Sequence, residues 1–178
     1  GVSVCHVVNS ITDTSMPGDI AKKQTSYHSM GNVGILAWFD AHSFSGDNLL
    51  DISVLDAPSG QYCISREQYR RARRTLSKFD IIHTHHPHSG FYGKLLAKAM
   101  GKPIVSTEHN DHHGYTRLGR LSNGLTNLLA DRIVCVSPSV KESFRTLERL
   151  LINKNVLCVI NNGVDLHRIE TGKITEWD

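Results

Sequence analysis

Eleven histidines stand out in this sequence, and most are concentrated in one third of it. Two segments carry the concentration: Ile82-His83-Thr84-His85-His86-Pro87-His88-Ser89-Gly90, and Ser106-Thr107-Glu108-His109-Asn110-Asp111-His112-His113-Gly114. Imidazoles grouped this way have three uses. Two or three of them with Asp111 or Glu108 could hold a metal ion. Without a metal, His109 and its neighbours could hydrogen-bond a polyhydroxylated ligand and move protons. In the third reading they are polar, partly exposed loop residues. Zinc motifs are usually tighter, such as HxxxH on one helix, and no such frame is present, so no metal ligand is assigned. Side chains alternate along a strand, so His83 and His85 face one way and Thr84 the other. Ser89-Gly90 is expected to open a helix, with Ser89 as N-cap and free backbone N–H groups able to receive an anion.

Short β-rich apolar runs alternate with helical patterns and must position these segments. The runs are Ser3–Val8, Val33–Phe39, Asp51–Leu55, Asp80–Thr84, Pro103–Thr107, Asp131–Val136 and Asn155–Ile160. Most are continuously apolar, as expected of strands covered on both faces. Helices are predicted over Arg66–Lys78, Ser89–Met100 (ending at Gly101), Arg117–Ala130 and Ser137–Leu150. The first has an inward stripe of Tyr69, Ala72, Leu76 and Phe79. The third has its stripe at Leu118, Leu121, Leu125, Leu128 and Leu129. Strand–helix repetition implies parallel strands joined by right-handed crossovers. The predicted fold is α/β: a doubly wound, mostly parallel sheet of about seven strands with helices on both faces. Ligands of such sheets bind beyond the carboxyl ends of the strands, near the reversal of strand order. With the fourth strand beside the first, both His-rich segments fall on one rim.

The 178 residues are enough for one domain with a real core. At 39% hydrophobic and 21% charged, the chain is neither disordered nor collagen-like. A net charge of +3 is too small to imply nucleic acid. No apolar run approaches the roughly 20 residues of a membrane span. The four cysteines lack CxxC spacing, and three sit in apolar runs, which points to a reducing, cytoplasmic setting. No GxGxxG follows the first strand, and neither a GxSxG elbow nor a Walker loop is present. Gly18, in Met16-Pro17-Gly18-Asp19, offers only a weak anion-site signal. Arg66, Arg70, Arg71, Arg73, Arg74 and Lys78 make one helix strongly basic. That charge reads as a solvated face or as a peripheral contact with anionic lipid, at about 1 kcal/mol per side chain near the surface.

Four motifs in order carry a resemblance: Asp80-Ile81-Ile82-His83-Thr84-His85, Pro103–Asn110, Ala130–Ser137 and Val159-Ile160-Asn161-Asn162-Gly163-Val164-Asp165. Together the set resembles the amino-terminal half of a GT-B glycosyltransferase of family 4, over about Phe79–Leu166. The resemblance implies two facing Rossmann-like domains, of which residues 1–162 would be the acceptor-side one. Residues 163–178 would begin the linker to a carboxy-terminal domain that binds the nucleotide-diphosphate sugar. It further implies sugar transfer with retained anomeric configuration, no required metal or other cofactor, and a glycan or lipid-linked acceptor. By this resemblance His109 contacts the transferred sugar near the reacting carbon and is the catalytic candidate. His83, His85, Glu108 and Asn110 are expected to shape the cleft. Gly18, Ser89 and Gly90 would flank it, and Asn162, Gly163 and Asp165 would lie at the domain junction. The family's usual glycine pair after the first strand is reduced here to Gly18. With its second domain absent from these residues, the chain is expected to turn over little or no donor. Two other readings stand beside this one: a metal-dependent hydrolase built on the His clusters, and a non-catalytic carbohydrate- or partner-binding module.

Overall fold

The computed structural model describes residues 1–45, 48–58, 63–109, 116–153 and 156–161. The described residues form seven strands: β1 (Val2–Thr12), β2 (Met30–Ser43), β3 (Leu50–Val54), β4 (Ile81–Thr84), β5 (Ile104–Glu108), β6 (Arg132–Cys135) and β7 (Leu157–Val159). Every pairing is parallel, and the order is β3-β2-β1-β4-β5-β6-β7. Strand order therefore reverses between β1 and β4. All seven predicted runs are strands, and the doubly wound sheet is as expected. Among the described residues six helices accompany them: α1 (Met16–Thr25), α2 (Arg66–Ser77), α3 (Pro87–Ala99), α4 (Arg117–Asn127), α5 (Pro138–Glu142) and α6 (Thr146–Leu151).

Alternation along β1 divides the core. Cys5 and Val7 join Leu36, Trp38, Ile82, Ile104 and Ile133 beneath Ala72 and Leu76 of α2 and Leu96 and Ala97 of α3. Val8 joins Val33, Ile35 and Ala37 beneath Ala21 of α1. α2 starts in a capping box, in which Gln68 N–H donates to Ser65 Oγ and Ser65 N–H donates to Gln68 Oε1. α3 ends in a Schellman motif: Gly101 at φ 66° lets Lys102 N–H reach Ala97 O at 2.9 Å.

Five local expectations are corrected. Ser89 does not cap α3: the helix starts at Pro87 with His86 at the N-cap, because proline's fixed φ suits a first helical position. The helix expected over 137–150 is two, α5 and α6. The Ser143 hydroxyl bonds back to Val140 O at 2.7 Å, and Glu148 Oε2 accepts from Arg145 N–H at 2.7 Å to start a new helix. β2 runs from Met30 to Ser43, beyond both ends of the Val33–Phe39 run from which it is expected. Finally, α4 is turned over. Leu118, Leu121, Leu125 and Leu128 are exposed, whereas Gly119, Ser122, Asn123, Thr126 and Asn127 are buried. What lies beneath α4 is charged, so amides and hydroxyls face inward to satisfy it. Of the stripe expected along α2, Ala72 and Leu76 are buried, as is Phe79 just beyond the helix end, while Tyr69 is 43% exposed.

Candidate functional site

The carboxyl ends of β1, β4 and β5 are neighbours, so His83 and His85 of the first His-rich segment and His109 of the second converge beside the point of strand reversal. His6 of β1 is the register partner of His83 of β4. Ring centroids stand 4.9 Å apart for His6–His83, 4.2 Å for His83–His85 and 5.1 Å for both His6–His85 and His85–His109. These rings lie on the α1 side of the sheet, and Thr84 faces α3, where its side chain meets Gly90 and Gly93.

Each ring in this column has a partner. His6 Nε2 is 2.6 Å from Gln24 Oε1 on α1, and His6 Nδ1 is 2.8 Å from His85 Nε2. His85 Nδ1 is 2.8 Å from His109 Nε2, and His83 Nε2 is 2.6 Å from Thr107 Oγ1. Asn9 N–H donates to His86 Nδ1 at 2.9 Å. His6 is fully buried and His85 nearly so, while His83, His86 and His109 are half-buried. Burial disfavours the charged rings. His6 and His86 are lowered to about 4, His83 and His85 are pushed well below the ordinary value, and His109 is lowered against the opposing pull of Glu108. Near neutral pH the column is uncharged, which suits hydrogen bonding to an uncharged ligand.

His6, His83 and His85 also bring ring nitrogens within 4.8 Å of one another, a grouping able to surround an ion. The 2.8 Å between His6 Nδ1 and His85 Nε2 is a hydrogen-bond length. Two imidazoles on one tetrahedral zinc, each about 2.0–2.1 Å from it, would stand roughly 3.3 Å apart. As it stands, the pair shares a proton.

Glu108 lies on the other face. It is 2% exposed, and its Oε1 accepts from Asn123 Nδ2 and Asn127 Nδ2, both at 2.9 Å. The same two amides present their oxygens to Lys94 Nζ at 3.1 and 2.7 Å, with Thr126 Oγ1 at 3.3 Å. Two asparagines thus bridge a buried carboxylate and a buried ammonium that burial brings down to about 8. This geometry gives Glu108 the job of seating α4.

The glycines and Ser89 also have packing partners. Gly18 lies inside the first turn of α1, where a Cβ would come 2.9 Å from the Phe44 ring. Ser89 is fully buried, and its N–H donates to Asn9 Oδ1 at 3.0 Å. Gly90 N–H donates to His86 O at 2.8 Å, and Pro87 has no N–H. The first turn of α3 is therefore largely committed, and the anion cradle expected there is not formed by Ser89 or Gly90. Asn110, Asn162, Gly163 and Asp165 fall outside the described residues. The basic face of α2 is exposed: Arg66, Arg70, Arg73 and Arg74 line a surface crevice with Tyr69 and Ser77, while Arg71 Nη2 donates to Val54 O at 2.8 Å. No described helix is long and apolar enough to cross a membrane.

The chain's residues 45–168 match the family model of Glycosyltransferase Family 4. The chain belongs to glycosyltransferase family 4. Its fold agrees. HepE from Anabaena in complex with UDP superposes with a TM-score of 0.64 at 13% identity, over 96% of this chain and 50% of that one. The lipopolysaccharide outer core galactosyltransferase WaaB gives 0.64 at 13%, over 92% and 46%. MurG from Acinetobacter baumannii gives 0.63 at 15%, over 93% and 47%. UDP-GlcNAc 2-epimerase from Methanocaldococcus jannaschii gives 0.60 at 10%, over 90% and 46%, so the fold alone is shared beyond transferases. The chain spans about half the length of the solved structures it matches. No curated protein sequence matches it.

Sequence reasoning missed His6 and Gln24. The only signal was a histidine inside the apolar run Val4-Cys5-His6-Val7-Val8, which reads as packing until the register with β4 is known.

Proposed function

We propose that this chain is the acceptor-side domain, residues 1–162, of a retaining glycosyltransferase of the hexosyl-transferring kind. It would move a sugar from a nucleotide-diphosphate donor to a glycan or lipid-linked acceptor. One observation carries the reading: in a family 4 chain, His109 stands half-buried at the tip of β5, beside the tip of β4, where strand order reverses. HepE has been crystallised with UDP-glucose, which supports a nucleotide-sugar donor. The reaction needs a leaving diphosphate stabilised and two substrates held in register, and neither task requires a metal or a protein nucleophile. His109 is the catalytic candidate. His83 and His85 stand beside and behind it, Asn110 follows it in sequence, and Asn162, Gly163 and Asp165 would serve the domain junction. Residues 163–178 would lead into a second, donor-binding domain.

The test is His109→Ala in the full-length polypeptide. A large loss of transfer with an unchanged circular dichroism spectrum is expected, and a rate near wild type would reject the role. The 178-residue chain alone should show little or no donor turnover, so steady transfer by it would overturn the two-domain reading. The exposed arginines of α2 support peripheral contact with anionic lipid on a cytoplasmic membrane face. Flotation with phosphatidylserine vesicles should show salt-sensitive binding, lost when Arg66, Arg70, Arg73 and Arg74 are replaced by Gln.

A further inference from the structure

Behind His109 the imidazoles are linked in single file, and the direction of every bond in that file follows from its far end. Gln24 presents Oε1 to His6 Nε2 at 2.6 Å, and an amide oxygen only accepts. His6 Nε2 therefore carries the proton, and Nδ1 of the neutral ring is bare. Across 2.8 Å, His85 Nε2 must donate to it. His85 Nδ1 is then bare in its turn, and His109 Nε2, also at 2.8 Å, must be the donor. His109 is left with an unprotonated Nδ1 for which the described residues supply no hydrogen bond.

We propose that Gln24, His6 and His85 are positioning residues that fix His109 as its Nε2–H tautomer, leaving Nδ1 as the hydrogen-bond acceptor for a sugar hydroxyl. This rests on the proposed contact between His109 and the sugar, and it narrows the substrate. The group met by His109 must bring a hydrogen of its own. A carboxylate or phosphate oxygen would set lone pair against lone pair, so a neutral hydroxylated sugar fits there and a uronic acid carboxylate does not. Beside it the polarity is reversed. Asn9 N–H donates to His86 Nδ1 at 2.9 Å, so the neutral His86 ring carries its proton on Nε2 and offers a donor. The His86 and His109 ring centroids are 6.3 Å apart, close enough to serve neighbouring hydroxyls of one sugar ring.

The test reads ring nitrogens directly, by multiple-bond 15N–1H spectra of histidine-labelled protein near neutral pH. His6, His85 and His109 should each show a protonated Nε2 and a bare Nδ1. Gln24→Leu removes the terminal acceptor, and His109 should become a mixture of tautomers while the fold is kept. Gln24→Glu keeps an acceptor at that place and should restore the single form. In sugar transfer by the full-length polypeptide, Gln24→Leu should lose about tenfold in kcat/KM, the scale of a lost orienting partner, and Gln24→Glu should regain it. A protonated Nδ1 on His109 in the wild type would overturn the proposal. So would an unchanged tautomer in Gln24→Leu, or one equivalent of zinc with metal-shifted resonances at His6 and His85. Tautomers as expected with transfer indifferent to His109→Ala would uphold the chain and refute the sugar contact, so the two can fail separately.

Discussion

Replacing Lys94 by Met keeps most of its stem and removes one charge from beneath α4. Lys94 is 1% exposed and gives three hydrogen bonds, to Asn123, Thr126 and Asn127. Without it, two amide oxygens lose a charged donor, and Glu108, held by the same two amides, becomes an uncompensated buried anion. Removing one member of a buried pair typically costs about 3–5 kcal/mol. For a chain of this length each kcal/mol moves the melting temperature by about 2–4 °C, so Lys94→Met should melt roughly 10 °C lower. Glu108→Gln keeps an oxygen for the asparagine amides to bond while discarding the charge. The Lys94→Met/Glu108→Gln double variant should therefore lose less than the sum of the singles, by about 1–3 kcal/mol of coupling. Urea titrations of the four proteins measure this directly. A neutral Lys94→Met, or strictly additive losses, would refute the bridged pair.

Acid should weaken the fold in a defined window. The unfolded chain protonates its histidines near pH 6.5, whereas folded His6 resists until about 4, so the unfolded state binds more protons between these values and stability falls as pH drops through them. His6 alone accounts for about 3 kcal/mol over that interval, and a urea midpoint constant from pH 7 to 5 would contradict it. Gly34→Ala should cost about 1–3 kcal/mol, read as a lower urea midpoint, because a Cβ there overlaps the Phe79 ring and the backbone between β1 and β3 has no room to move. Leu125→Gln, on the outer side of α4, should leave stability within about 0.5 kcal/mol, whereas Asn123→Leu, on the buried side, should lose several times that.

The strands were legible because each is an apolar run closed by a turn or a helix start, and a sheet covered on both faces leaves that mark in every strand. The meeting of His83, His85 and His109 was legible too, since it needs only strand order and alternation. Pairing register was not, and register is what sets His6 against His83. Periodicity misplaced α4 because it assumes that apolar residues face inward. Lys94 and Glu108 reverse that assumption, and nothing local to Arg117–Asn127 announces a charged pair contributed by α3 and β5. The start of α3 is hidden by Ser89, a residue type favoured at N-caps, which follows two positions after the Pro87 that opens the helix. The single helix expected over 137–150 overlooked a serine able to bond to its own preceding turn.

The reversed seating of α4 affects how that helix can move. Oily interfaces let a helix slide or roll with little penalty, since one methyl substitutes for another. Here each amide must meet one specific oxygen or nitrogen, so a roll of even one residue would strand two charges at once. The helix therefore behaves as a keyed part with a single setting.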